Sequence, residues 1–527
     1  MAKKHIFLVL SLNFLIATSF FVKNIGVGYS QLSSDMQNIV PMCMKLDNPE
    51  LYPNDLFLTD TTNFKFYTPF FIETLRVFAG FTDGNYVQAS NILLFISSLM
   101  FGICWFFLLF KLFRNKFWIA LLISILMRGI VWLPAGEIWG ISDLWTIMPR
   151  TLYIALMPIP FLVLFQRKNL HFYAASILIG LIFNFHPISG LGGILIFFMV
   201  VCCGCYFKYA KCSFKQISLG VLLVITGMLP FVVTYFGKTD TAVFYDLQAY
   251  GAAFDAKIAS HYQEVYLVFK SWLKTKFLFF LVPLVVFIFY GFSKSNTYGK
   301  EAAILLVLTG AIFFLPVLSI YVEQALNKGL GINLRMSFQL VRIQKMVVLP
   351  AYLAMGYLLV LLVDKHIIDE QLISYGFASY LLILTISHSP FFNKVPLIGD
   401  DISRSIVPNF SEVFKPLSER KTDFDKMANY IKENTPVAAV FYKNYYLRTA
   451  AQRSVRFDSK GANILVEGNP QKLIEWHRDR FYLKAASEAE RLRYLKEKGV
   501  DYMLLNEETD ALRLEKKIGN QFLYTLQ

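Results

Sequence analysis

The sequence predicts an all-α polytopic membrane domain of about eleven transmembrane helices, followed by a small α/β domain in water. Three observations carry that prediction: an apolar composition, an uneven spread of charge, and a series of apolar runs of spanning length. The chain has 527 residues, 56% hydrophobic and 16% aromatic, with 17% charged and a mean hydropathy of +0.48. Soluble domains carry roughly a quarter charged residues, so the composition argues against a soluble enzyme. With 51 Phe and 28 Tyr, it also excludes a disordered chain. Residues 391–527 hold 42 of the 88 Asp, Glu, Lys and Arg side chains, and the first 390 hold only 46. Two solvents are implied, lipid for residues 1–390 and water for residues 391–527.

A spanning helix needs about 20 mostly apolar residues, because lipid offers its backbone no hydrogen-bond partners. Runs of this kind fall near 6–22, 91–112, 117–133, 150–165, 172–186, 188–207, 216–236, 277–292, 301–322, 346–363 and 371–388. Those near 117 and 150 are short enough to be tilted or re-entrant. Residues 1–22 also resemble a secretory signal, with Lys3 and Lys4 ahead of an apolar run. Ile25-Gly26-Val27-Gly28 is a poor cleavage site, so an uncleaved first span is expected.

With the N-terminus in the cytoplasm, the inner connections hold 13 basic residues against four acids, Glu301, Asp364, Asp369 and Glu370. The rest of the first 390 residues is balanced, 15 basic against 14 acidic. That bias sets the N-terminus inside, and an odd span count sets the C-terminal domain outside. The net charge of +14 is mostly this topological signal, not a nucleic-acid footprint. Of the six cysteines only Cys43 faces outward, so no disulfide framework is available there.

The inner connections are short and the outer ones long: 23–90, 134–149, 237–276 and 323–345. Long loops are uncommon unless functional or structured, so the work of this protein is expected at the outer face. Residues 36–46 and 66–78 alternate apolar and polar residues as interfacial helices do. No internal repeat or inverted symmetry of the transporter kind is visible. In the tail, 423–434 (DFDKMANYIKEN) reads as an amphipathic helix capped by Thr422 or Asp423. A strand is expected at 437–442, helices at 470–483 and 487–498, and a further strand at 500–505 after Gly499. No Gly-rich phosphate loop is present there.

Candidate chemistry lies on the outer face. Asp35 is the first ionisable residue after Lys23, and Asp55 follows in the same segment. A carboxylate so placed can act as general base toward a hydroxyl or can bind a divalent cation; the alternative is a solvated loop. The second loop carries Glu137 and Asp143 among three tryptophans, and Arg150 opens the next span. Arg150 can grip a phosphate bidentately or anchor the helix at the interface. Arg128 lies within the third span, where a charge faces the bundle interior, lines a cavity or snorkels outward. His186 shuttles a proton, donates to a phosphate or ends a helix ahead of Pro187. His261 and Glu264 stand one helical turn apart, but with no further His or Cys cluster a zinc site is not expected. Arg335, Arg342 and Lys345, spaced seven and three apart, share roughly one helical face as a basic stripe for lipid phosphates or a specific anion.

The short first span, the long outer segment with Asp35, some eleven spans and an outer α/β tail resemble the GT-C glycosyltransferase superfamily. LDNPELYPNDLF (46–57), FHPISG (185–190), DFDKMANYIKENTP (423–436), LIEWHRDR (473–480) and GVDYMLL (499–505) resemble a group of bacterial GT-C-like membrane proteins. The resemblance implies a plasma-membrane enzyme that moves a sugar from a polyprenyl-phosphate donor to an extracytoplasmic glycan, lipid or protein. It implies Asp35 as catalytic base, and Arg150, His186, Arg335 and Arg342, by location, as ligands of the donor phosphate. Many members carry paired acids in the first loop, whereas Asp35-Met36-Gln37 has one. That departure weakens the case for a divalent cation (Mg or Mn) and for activity itself. A non-catalytic envelope scaffold or a lipid-linked-glycan transporter is the alternative.

Overall fold

The computed structural model describes residues 2–33, 35–129, 144–166, 169–209, 213–237, 244–258, 263–273, 278–293, 297–331, 334–386 and 405–526. Glu137, Asp143 and His261 lie outside the described residues, as does the expected domain boundary near 391. The chain divides into two compact units. One comprises Met1–Lys23, Ile92–Phe231 and Ser260–Phe414, and the other Asn24–Asn91, Val232–Ala259 and Lys415–Gln527.

The first unit is helical. Among the described residues, six helices are long and apolar enough to cross a membrane: Lys3–Lys23, Tyr86–Leu112, Pro187–Tyr206, Phe214–Phe236, Gly299–Leu330 and Ser337–Asp364. Five shorter apolar helices complete the set, at Phe117–Leu126, Pro149–Leu164, Leu170–Phe183, Leu281–Ser293 and Glu370–Ile386. Together they match the eleven apolar runs one for one. The span near 150 is interrupted, Pro149–Leu156 then Pro158–Leu164, because Pro158 and Pro160 cannot donate to the preceding turn. The Pro187–Tyr206 helix buries Gly192 and Gly193. A side chain at Gly193 would meet the Tyr153 hydroxyl, and one at Gly192 would meet Met346 and Ile343. Asn184 repairs the Phe214–Phe236 helix around its internal Pro230. Its amide donates to the Gly227 carbonyl at 2.9 Å, and its oxygen accepts from the Phe231 N–H at 2.9 Å. It thus serves both groups of one i, i+4 backbone pair.

The second unit centres on a five-stranded mixed sheet: β1 (Val440–Tyr442), β2 (Ser454–Arg456), β3 (Tyr502–Leu505), β4 (Arg513–Ile518) and β5 (Gln521–Thr525), in the order β2-β1-β3-β5-β4. β1 runs parallel to β2 and β3, whereas β5 runs antiparallel to β3 and β4. Alternate residues feed two cores. Phe441 and Leu504 join Met427, Ala428 and Ile431 on one face, while Val440 and Met503 join Leu483 and Leu495 on the other. The sheet is therefore covered by the Asp423–Asn434 helix on one side and by Pro470–Ala485 and Glu488–Glu497 on the other. Thr422 and Asp425 form a reciprocal capping box at the start of the first of these helices.

The first long segment is built into this unit. Its Met36–Asp47 helix is buried from Met36 to Lys45, a core element and not an amphipathic helix lying with one face on a surface. The Ser30 hydroxyl donates to Asp425 at 2.9 Å, the Tyr52 hydroxyl donates to the Arg448 carbonyl at 2.7 Å, and Thr449 bonds Gln37. The Leu247–Lys257 helix belongs here too, with the Tyr250 hydroxyl on the Val466 carbonyl at 2.9 Å.

Candidate functional site

Asp35 stands at the first turn of the Met36–Asp47 helix, in the N-cap position but without a capping bond from its side chain. Its carboxylate instead receives Lys460 Nζ at 3.0 Å, and the two side chains are 19% and 15% exposed. One turn along the same helix, Asn38 Nδ2 donates to the Lys460 carbonyl at 3.1 Å, which fixes the backbone that carries the lysine.

Lys460 belongs to a turn held from several directions. The buried Asp458 carboxylate accepts from Arg448 Nη2 at 2.6 Å, and the Trp476 indole donates to the Asp458 carbonyl at 2.9 Å. Next along the chain, Lys257 Nζ donates to the Ser459 carbonyl at 2.8 Å and Arg480 donates to the Ser459 hydroxyl at 3.1 Å. Two cations, Lys257 and Arg480, thus meet Ser459, next to the third, Lys460.

Behind the turn lies a buried ion triad. Arg448 donates through Nε to Asp55 at 2.7 Å as well as to Asp458, and all three side chains are at most 1% exposed. Burial by itself lowers the guanidinium pKa, but the charges of Asp458 and Asp55 outweigh it and hold Arg448 above its ordinary value. Asp55 also accepts from the Val455 N–H at 2.8 Å and the Phe57 N–H at 3.0 Å. Its partners occupy it fully as a structural anchor. Burial also pushes the Cys43 thiol up, aided by the negative charge of Asp47, so this cysteine is no nucleophile.

Elsewhere in this unit, a cleft of about 720 Å³ is lined by Asn54, Thr59, Arg456, Lys472, Lys498 and Asp501. Its cations already have partners: Lys472 on Thr59 at 2.8 Å, and Lys498 on Asp479 at 3.1 Å. Among the described residues no group of three or more His, Cys, Asp or Glu is placed to hold a metal ion.

The remaining candidates belong to the membrane unit. Arg150 is buried in the first turn of the Pro149–Leu156 helix, with Nη2 at 3.1 Å from Met148 Sδ. His186 is the N-cap of the Pro187–Tyr206 helix, and its Nδ1 accepts from the Ser189 N–H at 3.1 Å. That bond leaves the proton of a neutral ring on Nε2. Arg335 precedes a new helix that starts at Ser337, where Glu323 accepts from the Ser337 N–H at 2.7 Å and from its hydroxyl at 2.9 Å. Arg342 and Lys345 lie on the 3-10 segment Val341–Val347. Three residues complete one 3-10 turn, so those two keep a common face, but the continuous stripe with Arg335 does not form. The Pro149–Leu156 helix and the Val341–Val347 segment both pack against Pro187–Tyr206, which brings together the elements carrying Arg150, Arg342 and His186.

Arg128 faces inward. It is fully buried and donates to Asn13 Oδ1 at 2.7 Å, Ser98 Oγ at 2.9 Å and the Ser98 carbonyl at 2.8 Å. Gly102 makes room, since a side chain there would collide with Asn13 and Arg128. Arg128 is thus a tie between the Lys3–Lys23 and Tyr86–Leu112 helices. Glu264 is exposed, and its carbonyl caps the start of the Val265–Leu273 helix through the Val268 N–H at 3.0 Å.

The membrane unit also contains an apolar cleft of about 630 Å³, lined by Trp105, Phe161, Phe172, Ile196, Leu305 and Leu349, with Lys111 and Glu301 as its charged residues. Sequence reasoning missed Lys460, Lys257, Arg480 and the Arg448–Asp458 pair, because the chain brings them together only through the fold.

No protein-family model matches the sequence, and no curated protein sequence matches it. Solved structures do. ArnT from Cupriavidus metallidurans bound to undecaprenyl phosphate aligns over 100% of this chain and 99% of its own, with a TM-score of 0.50 at 10% identity. The apo state of the same enzyme aligns over 99% and 98%, with a TM-score of 0.50 at 9% identity. The Archaeoglobus fulgidus oligosaccharyltransferase in complex with zinc and sulfate covers 94% of this chain and 67% of its own, at 13% identity and a TM-score of 0.40. At such identities the likeness speaks for the fold alone. Over its full length the chain is similar to GT-C membrane glycosyltransferases and has a GT-C-like fold: a polytopic helical membrane domain with a small mixed-sheet C-terminal domain.

Proposed function

We propose that this protein transfers a sugar from a polyprenyl-phosphate-linked donor to a hydroxyl of an acceptor outside the cytoplasm, a glycan, lipid or protein. Its setting is the bacterial plasma membrane, with the N-terminus inside and the sheet-containing unit outside. The observation that carries the reading is Asp35. In a chain with the GT-C-like fold, it is a half-buried carboxylate beside an ammonium group at the start of a core helix, in the unit assembled from two segments between spans and the C-terminal tail.

In this reading Asp35 takes the proton of the acceptor hydroxyl as that oxygen attacks the anomeric carbon. The bond from the anomeric carbon to the phosphate oxygen breaks, and the electron pair leaves with the polyprenyl phosphate. Arg150, His186, Arg335 and Arg342 meet the growing negative charge, so cationic donors serve where a metal otherwise would. The apolar cleft of the membrane unit offers the kind of surface that a polyprenyl chain needs.

A second reading has one observation in its favour. Asp35 is a single acid, and Lys460 already engages it, as suits a non-catalytic envelope scaffold. One experiment separates the two. Lipids that co-purify with the full-length protein are identified by mass spectrometry, and the sugar-bearing ones are supplied as donors to wild type and Asp35→Asn. Loss of transfer by about a thousandfold or more, with the lipid still retained by Asp35→Asn, supports the enzyme. Transfer that survives the substitution removes Asp35 from the chemistry.

A further inference from the structure

We propose that Lys460 is a charge lock on Asp35, opened when a phosphate group of the substrate binds the turn formed by Ser459 and Lys460. The proposal rests on the reading of Asp35 as the base and adds how that base is switched on.

A carboxylate paired with an ammonium at 3.0 Å and largely withdrawn from water is a poor base, because protonation must break the pair. On this proposal the pair with Lys460 keeps Asp35 from taking a proton. The lock is of a kind that can open. The Lys460 backbone is fixed through its carbonyl by Asn38, but its ammonium sits on a flexible four-carbon stem. Beside it, Lys257 and Arg480 donate to the carbonyl and the hydroxyl of Ser459, neutral acceptors that a charged phosphate oxygen outcompetes. Ser459 and Arg480 are both exposed, so a ligand can reach the turn.

A phosphate bound there gathers Lys257, Arg480 and Lys460, and the same movement takes the Lys460 ammonium away from Asp35. The base then becomes competent only while a phosphate-bearing ligand is present. No bond is made or broken in this step; one ion pair exchanges for another. The phosphate of a lipid and a phosphate carried by a water-soluble acceptor share this chemistry.

The test is a binding cycle on the full-length protein in lipid nanodiscs, with undecaprenyl phosphate and inorganic phosphate as separate probes. The variants are Asp35→Asn, Lys460→Gln and the double substitution. Since Asp35 and the phosphate compete for one ammonium, Asp35→Asn should tighten binding by about three- to tenfold. Lys460→Gln should weaken it by about tenfold, and the double variant should match Lys460→Gln alone. Lys460→Arg, which keeps the charge, should stay near wild type and guards against misfolding of the Gln variant. The pattern with undecaprenyl phosphate only assigns the lock to the lipid phosphate; with both probes, the phosphate group alone suffices. Unchanged or weaker binding of both probes to Asp35→Asn overturns the proposal. Because the cycle needs no turnover, a protein that shows the pattern yet transfers no sugar would sink the enzyme reading and leave the lock standing.

Discussion

Asp35 and Asp55 lie 20 positions apart in one segment and look alike in the sequence. The fold places Asp35 half-buried beside the flexible Lys460, and encloses Asp55 with a guanidinium and two backbone N–H groups. Replacing Arg448 with Met strands Asp55 and Asp458 as buried charges without their counter-ion, which should cost about 3–5 kcal/mol. We expect a lowered melting temperature and rapid proteolysis of the sheet-containing unit. Wild-type stability in Arg448→Met would mean that the triad is dispensable. What the sequence could reveal here was Asp35 itself, the first acid past the first span. Its partner could not be read, since Lys460 is 425 residues away and resembles any other surface lysine. His186 was legible only as a set of alternatives, and the structure makes it a helix cap through Nδ1.

At the element scale, the spans were legible because lipid imposes one strong rule, some 20 apolar residues in a row, and nothing else in the chain obeys it. Their ends were less so. The stripe of Arg335, Arg342 and Lys345 presumed one unbroken helix, and Glu323 starts a new one at Ser337 instead. Strands were harder still. β2 is three residues long, and β4 (RLEKKI) is charged enough to pass for a loop, as befits an exposed edge that lysines protect from further pairing. A signal for the β4–β5 hairpin was present: Gly519-Asn520 joins the strands as a two-residue turn, with Gly519 at φ +56°. Helix repair inside the membrane unit gives a test at this scale. Asn184→Leu leaves the Gly227 carbonyl and the Phe231 N–H beside Pro230 without their side-chain partner, at about 1–3 kcal/mol. The variant should melt lower in detergent than wild type, while Asn184→Gln recovers part of the loss; equal melting points for Leu and wild type would refute the repair.

At the scale of the whole molecule, the span count is constrained by connectivity. Among the described residues, six apolar helices separate Asn91 from Val232 and four separate Ala259 from Lys415. Both numbers are even, as one compact unit drawn from all three segments requires. Counted as crossings, the five shorter helices included, they total eleven with the first helix, and on that count we expect Lys3 and Lys516 on opposite sides of the membrane. A membrane-impermeant thiol reagent applied to Lys3→Cys and Lys516→Cys, in a background lacking the six native cysteines, should label only one of them in sealed vesicles of a given orientation. Labelling of both from one side would require an even count. The buried triad also sets a timetable for biosynthesis. Asp55 leaves the ribosome 393 residues before Arg448. At roughly 5–20 residues per second, that carboxylate waits about 20–80 s for the cation that will enclose it. Throughout that interval the nascent first segment is an unfinished half of a core, exposed to chaperones and proteases. A chain cut just short of Arg448 has made all eleven apolar helices and still lacks the cation that closes the unit holding Asp35.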